Sequence, residues 1–127
     1  MGNEWKMINE KIIEAITSAI NRLEDSMKAL MEKDEQGMVG SVWEAAAELE
    51  YALFLFSLTL QEEAERSSWK LNLPSKQFVV GPTLVSAQDL LIEAKSCIET
   101  SELGIAHKKT WMARGCLLEV WKRLTAR

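Results

Sequence analysis

The chain has 127 residues, 47% of them apolar and 27% charged, with a net charge of −4 and two cysteines. That length and balance fit one soluble globular domain, which buries about two-thirds of its unfolded surface without staples. They exclude a disordered chain, a collagen-like repeat and a disulfide scaffold.

The opening Met1-Gly2-Asn3-Glu4-Trp5-Lys6 has no charged-then-apolar leader, and Lys6 stands where a myristoylation signal carries Ser or Thr. Apolar residues then recur at Trp5, Ile8, Ile12, Ala15, Ile16, Ala19, Leu23, Met27 and Leu30. Steps of three and four make one helical stripe and predict a first helix over about 4–34. The polar break Lys33-Asp34-Glu35-Gln36-Gly37 predicts its stop.

A second helix is predicted over about 38–67, where Ala, Glu and Leu dominate and no Pro intervenes. Its core face is Val42, Ala45, Ala46, Leu49, Ala52, Leu53, Phe56 and Leu60. A second apolar face, nearly opposite, collects Trp43, Ala47, Tyr51, Phe54, Leu55 and Leu58. Such a helix is either the most buried of its domain or meets another subunit. The longest apolar stretch, Tyr51 to Leu60, is about half what a membrane span needs, so no membrane association is predicted.

Residues 67–82 break the helical pattern at Pro74 and at Gly81-Pro82, and are long enough to cross a bundle from end to end. Trp69, Phe78, Val79 and Val80 predict a linker that packs down, and through Trp69, Leu71, Phe78 and Val80 one place for it is over the second face of helix 2. A third helix is predicted from Pro82, Thr83 or Ser86, where Ser86-x-x-Asp89 resembles a capping box. Its stripe is Leu84, Ala87, Leu91, Ala94 and Ile98, with Leu90 and Cys97 beside it. After the short break at Thr100-Ser101-Glu102-Leu103-Gly104, a fourth helix should return antiparallel over about 105–125. It turns Thr110, Ala113, Leu117, Val120, Trp121 and Leu124 inward.

A shift of 68 residues aligns 18–58 with 86–126 without a gap and pairs Trp43 with Trp111, Ala45 with Ala113 and Leu49 with Leu117. The apolar phase is largely kept. Two αα-hairpins, packed as an all-α four-helix bundle about a pseudo-twofold, are the expected architecture.

Little catalytic chemistry is available. Inward-facing metal sites in bundles need Glu-x-x-His pairs, and the one histidine, His107, has no Glu three residues before it. Glu44, Glu48, Glu62 and Glu65 read as a solvated acidic face. His107, beside Lys108 and Lys109, is expected at the surface rather than in a nucleophile's relay. Cys97 and Cys116, inside helical patterns, are expected to be buried free thiols. No glycine-rich phosphate loop is present, and no metal, cofactor or enzymatic activity is predicted.

Charge is uneven: residues 1–66 hold 14 acidic and 6 basic side chains, and residues 67–127 hold 5 acidic and 9 basic. Lys108, Lys109, Lys122, Arg123 and Arg127 share the outer side of the fourth helix with Trp111 at its edge. Cations beside an exposed ring suit single-stranded nucleic acid, or a nucleotide, and make that the alternative function.

The stretch Glu-Lys-Asp-Glu-Gln-Gly-Met-Val-Gly-Ser-Val-Trp-Glu-Ala-Ala-Ala-Glu-Leu, residues 32–49, resembles the polar turn and Trp/Ala-rich second helix of small archaeal PaREP-type proteins. Those are similar to the HEPN class of four-helix bundles, which includes ribonucleases and partners of nucleotidyltransferases. The resemblance implies a four-helix fold. Nuclease members carry an Arg shortly before a His, whereas Thr100, Ser101 and Glu102 precede His107, so it does not imply ribonuclease activity. The expected protein is a cytoplasmic, non-catalytic interaction or scaffold module that forms a homodimer through helix 2 and is open to other protein partners.

Overall fold

The computed structural model describes residues 2–60, 69–71 and 79–126, with side chains from residue 6 onward. Readings placed on the side chain of Trp5, on Glu62, Glu65, Pro74 and Phe78, and on Arg127 lie outside the described residues. Four helices make up the fold: α1 (Gly2–Met31), α2 (Glu35–Thr59), α3 (Val80–Glu99) and α4 (Leu103–Thr125). No strand occurs among the described residues.

The two short turns are built alike. α1 stops at Lys33, which adopts φ 59°, while Asp34 N–H donates to Ala29 O (2.8 Å) and Lys33 N–H to Leu30 O (3.2 Å). α3 stops at Ser101 with φ 63°, Glu102 N–H donating to Cys97 O (2.7 Å) and Ser101 N–H to Ile98 O (3.1 Å). Both closures satisfy the last carbonyls through one left-handed residue. Lys33 and Ser101 are separated by the same 68 residues as the sequence repeat, as are Ile20 and Gln88, which touch. The first helix, expected to reach about residue 34, ends at Met31, and the second begins at Glu35 rather than near Met38. Gly37 lies in the first turn of α2, where its N–H donates to Asp34 Oδ1 (3.0 Å) as the helix cap. A left-handed conformation costs any residue with a Cβ about 1–2 kcal/mol. Lys33→Gly and Ser101→Gly are each expected to raise stability to urea by about 0.5–1 kcal/mol. A loss on substitution would contradict the turn geometry.

Side-chain pairs fix how the helices stack. Trp43 meets Trp121 (5.2 Å between ring centroids), Glu50 meets Arg114 (2.7 Å) and Phe56 meets His107 (5.0 Å). Contacts that descend α2 while ascending α4 make those helices antiparallel neighbours. Gln88 Nε2 donates to Ile20 O (3.4 Å), and a Cβ at Gly81 would stand 3.4 Å from Leu30 Cδ2, so α1 and α3 are also antiparallel neighbours. With the two hairpins, the order around the bundle is α1, α2, α4, α3. α2 ends and α3 begins at opposite ends, so the connection between them must travel the bundle's length.

Each helix turns one stripe inward. Ile12, Ile16, Leu23, Leu49, Phe56, Leu84, Leu91 and Leu117 are fully buried, and alanines at 19, 45, 52, 87, 94 and 113 let the backbones approach. The end of α2 and the start of α3 differ from expectation. α2 ends at Thr59 rather than near Ser67; Leu60 is extended, and Ser57 and Thr59 hydroxyls bond back to Phe54 O and Phe56 O. α3 begins at Val80, ahead of the punctuation at Gly81-Pro82, because Pro82 falls among the first N–H positions that lack intrahelical partners anyway. Ser86 and Asp89 thus lie exposed within α3 and cap nothing, since the helix has no side-chain cap.

Candidate functional site

The outward side of α2 carries a row of exposed apolar side chains. Trp43, Tyr51, Phe54 and Leu58 are all about half exposed, and Ala47 lies exposed among them. At about 100° per residue these positions, with Glu50, fall within roughly a quarter of the helix circumference, opposite the stripe that enters the core. Leu55, grouped with this face from the sequence, does not belong to it. It is 5% exposed and turned into the α1 side of the core.

Between this ridge and α4 runs a groove of about 250 Å³ lined by Trp43, Ala46, Ala47, Glu50 and Leu118. Ala46 and Ala47 make its floor low, and the tilted Trp43–Trp121 pair walls one end. Arg114 Nη1 donates to Glu50 Oε1 across it (2.7 Å), so the one carboxylate in the lining is neutralised by its neighbour.

Farther along the same seam, the described part of the linker packs onto α4. Trp69 sets its ring edge-on to His107 (4.9 Å) and tilted against Trp111 (5.6 Å). Leu71 lies on Gly115, where a Cβ would stand 2.5 Å from its Cδ2. The expected packing-down of the linker is therefore real for these residues, but its seat is α4 rather than the ridge of α2. Val80 packs against the core as the first residue of α3, whereas Val79, expected to pack down too, is exposed.

His107 is not at the surface. It is 2% exposed, stacked on Phe56 at 15° between ring planes, and roofed by Trp69. Its lysine neighbours pointed to the wrong side: the position shares its helix side with Arg114 and Trp121, which face α2. Trp111 in turn is half-buried, with Trp69 tilted against its ring.

The basic residues of α4 divide. Lys109 Nζ bonds to Glu93 Oε2 of α3 (2.9 Å), and Arg123 Nε bonds to Glu119 Oε1 one turn away (3.2 Å). Lys108 and Lys122 are exposed. On the acidic half, Arg22 ties Glu44 (3.1 Å) and Asp25 (3.8 Å). Among the described residues, no three His, Cys, Asp or Glu side chains converge as a metal site, and no helix is long and apolar enough to cross a membrane.

Burial raises the Cys116 thiol above its ordinary range, only partly offset by a backbone hydrogen bond. A raised thiol is protonated at neutral pH and a poor nucleophile. Iodoacetamide is expected to label half-buried Cys97 in the folded protein and to spare Cys116 until denaturant is added. Equal labelling of both in the native state would contradict the packing.

Helical period alone marks the ridge of α2, but not the groove beside it or the Trp69–His107–Trp111 cluster. A groove depends on which helix neighbours α2, which is a tertiary fact. No protein-family model, no curated protein and no solved structure matches the chain.

Proposed function

We propose that the protein is a non-catalytic helical interaction module that self-associates through the outward ridge of α2. One observation carries the proposal: Trp43, Tyr51, Phe54 and Leu58 stand in a single row, 53%, 47%, 57% and 54% exposed. Scattered apolar residues on a surface need no explanation, whereas a contiguous row of three aromatics and a leucine marks an interaction site. Trp and Tyr are also the residue types that dominate binding energy when a partner desolvates them. A second copy is the partner that such a row fits most simply, because a twofold axis sets a patch against itself.

A dilution series followed by amide and indole NMR signals locates the surface. Diluting the protein from millimolar to low micromolar should move the Trp43 indole and the amides of residues 43–58, leaving α3 unchanged. Signals that stay fixed throughout, or that move on α3 instead, would refute the proposal.

A further inference from the structure

We infer that Trp69-Lys70-Leu71 is a detachable strap, latched on the outer side of α4 in a notch at Gly115, and that it lifts to uncover His107 and Trp111 while the four helices stay packed. The inference stands independently of self-association through α2.

The hold is small and local. Trp69 and Leu71 are half-buried and Lys70 between them is exposed, the in-out-in alternation of an extended segment. Trp69 sets its ring against His107 (4.9 Å) and Trp111 (5.6 Å), and Leu71 drops onto Gly115 one turn further along α4. Glycine is, after proline, the least favourable residue for a helix interior. At 115 it leaves a notch: the three atoms nearest to an added Cβ all belong to Leu71, the first of them at 2.5 Å.

The 68-residue repeat supplies an internal control. It pairs His107 with Val39, Trp111 with Trp43 and Gly115 with Ala47, so the seat of the strap on α4 has a counterpart on α2. Each α4 member is a step more buried than its mate. His107 is buried and Val39 half-buried; Trp111 and Gly115 are half-buried, and Trp43 and Ala47 exposed. Inward-facing pairs do not differ. Ala45 and Ala113, Leu49 and Leu117, and Ala52 and Val120 are fully buried on both helices.

The core side of α2 therefore closes beneath a bare outer side, and the matching core positions of α4 need no strap either. Trp69 and Leu71 add a cover to a finished bundle. Opening of such a cover costs less than unfolding of the helices beneath it. Lifting it sets Trp111, Gly115 and the edge of His107 beside the exposed row of α2. The position of the strap thus determines how much apolar surface the seam of α2 and α4 presents.

Two chemical probes of the unmodified chain, at low micromolar concentration, test the strap. His107 is the one histidine, so histidine acylation by diethyl pyrocarbonate reports its ring alone, while alkylation of buried Cys116 reports opening of the core side of α4. Each rate is divided by that of the urea-unfolded chain to give a protection factor. Below the urea transition, His107 is expected to be protected at least about 10-fold less than Cys116, with little dependence on urea. Gly115→Val, which fills the notch, should lower His107 protection at least about 10-fold further at unchanged helix content. Ala47→Val, its counterpart on α2, should leave that protection as it is. Equal protection of His107 and Cys116, with the same steep urea dependence, would overturn the inference, because the ring then opens only when the bundle does. A Gly115→Val chain that protects His107 as the parent does would also overturn it. So would one that loses its helices, since the strap would then belong to the core.

Discussion

Phe54→Glu is expected to yield a monomer that keeps its full helix content. Phe54 is 57% exposed in the single chain, so the new carboxylate sits in water as long as the chain is alone. Association would drag it into an apolar seam, and the exposed ring at the middle of the row is gone. Loss of a central aromatic anchor typically costs 2 kcal/mol or more, and the buried charge adds to that, so self-association should weaken by at least about 30-fold. Circular dichroism and the thermal midpoint extrapolated to low concentration should match the parent. A variant that unfolds instead would mean that position 54 is covered within its own chain. The described linker gives no such cover, since Trp69 and Leu71 lie on α4.

Two residues along the same helix, the opposite outcome is expected. Phe56 is fully buried, stacks on His107 and projects from the far side of α2. Phe56→Ala removes a ring from a close-packed core that closes only in part around the space, a change that costs about 3–5 kcal/mol. It also strips one wall from the site that keeps His107 dry. Urea unfolding should show the midpoint falling at unchanged slope, because the surface exposed on unfolding is nearly the same. A loss under 1 kcal/mol would contradict the packing of α2 against α4. Paired with Phe54→Glu, it separates the two faces of one helix: one side sets stability, the other association.

Much of the architecture was legible from period alone. The stripe Leu84, Ala87, Leu91, Ala94, Ile98 is buried throughout, and so are Val42, Ala45, Ala46, Leu49, Ala52 and Phe56 of α2, whereas Leu53 and Leu60 of that expected face are only half-buried. An apolar step of three and four needs no tertiary knowledge. The 68-residue offset was faint in identities but firm in geometry: it relates Lys33 to Ser101, the two left-handed turn residues, neither of which is a glycine that would have announced the turn. Where local punctuation competed with helix-terminal physics, the termini won. Val80 to Pro82 reads as a break, yet a proline in the first turn removes only an N–H that has no partner there.

His107 and Leu55 show why the candidate site was less legible than the fold. Lys108 and Lys109 pulled His107 toward solvent in any local reading, but its angle on α4 places it against Phe56. Leu55 sits at the boundary of the outward row, and only the position of α1 decides that it is core. Likewise, the groove of Trp43, Ala46, Ala47, Glu50 and Leu118 combines two helices that are far apart in sequence. Single-helix period finds ridges; grooves require the order in which helices pack.

Sedimentation equilibrium of the unmodified protein, from low micromolar to near-millimolar concentration, tests self-association most directly. The expected mass is twice 14.4 kDa at the upper end, falling toward 14.4 kDa on dilution as a reversible monomer–dimer equilibrium requires. A mass of 14.4 kDa at every concentration would contradict the account.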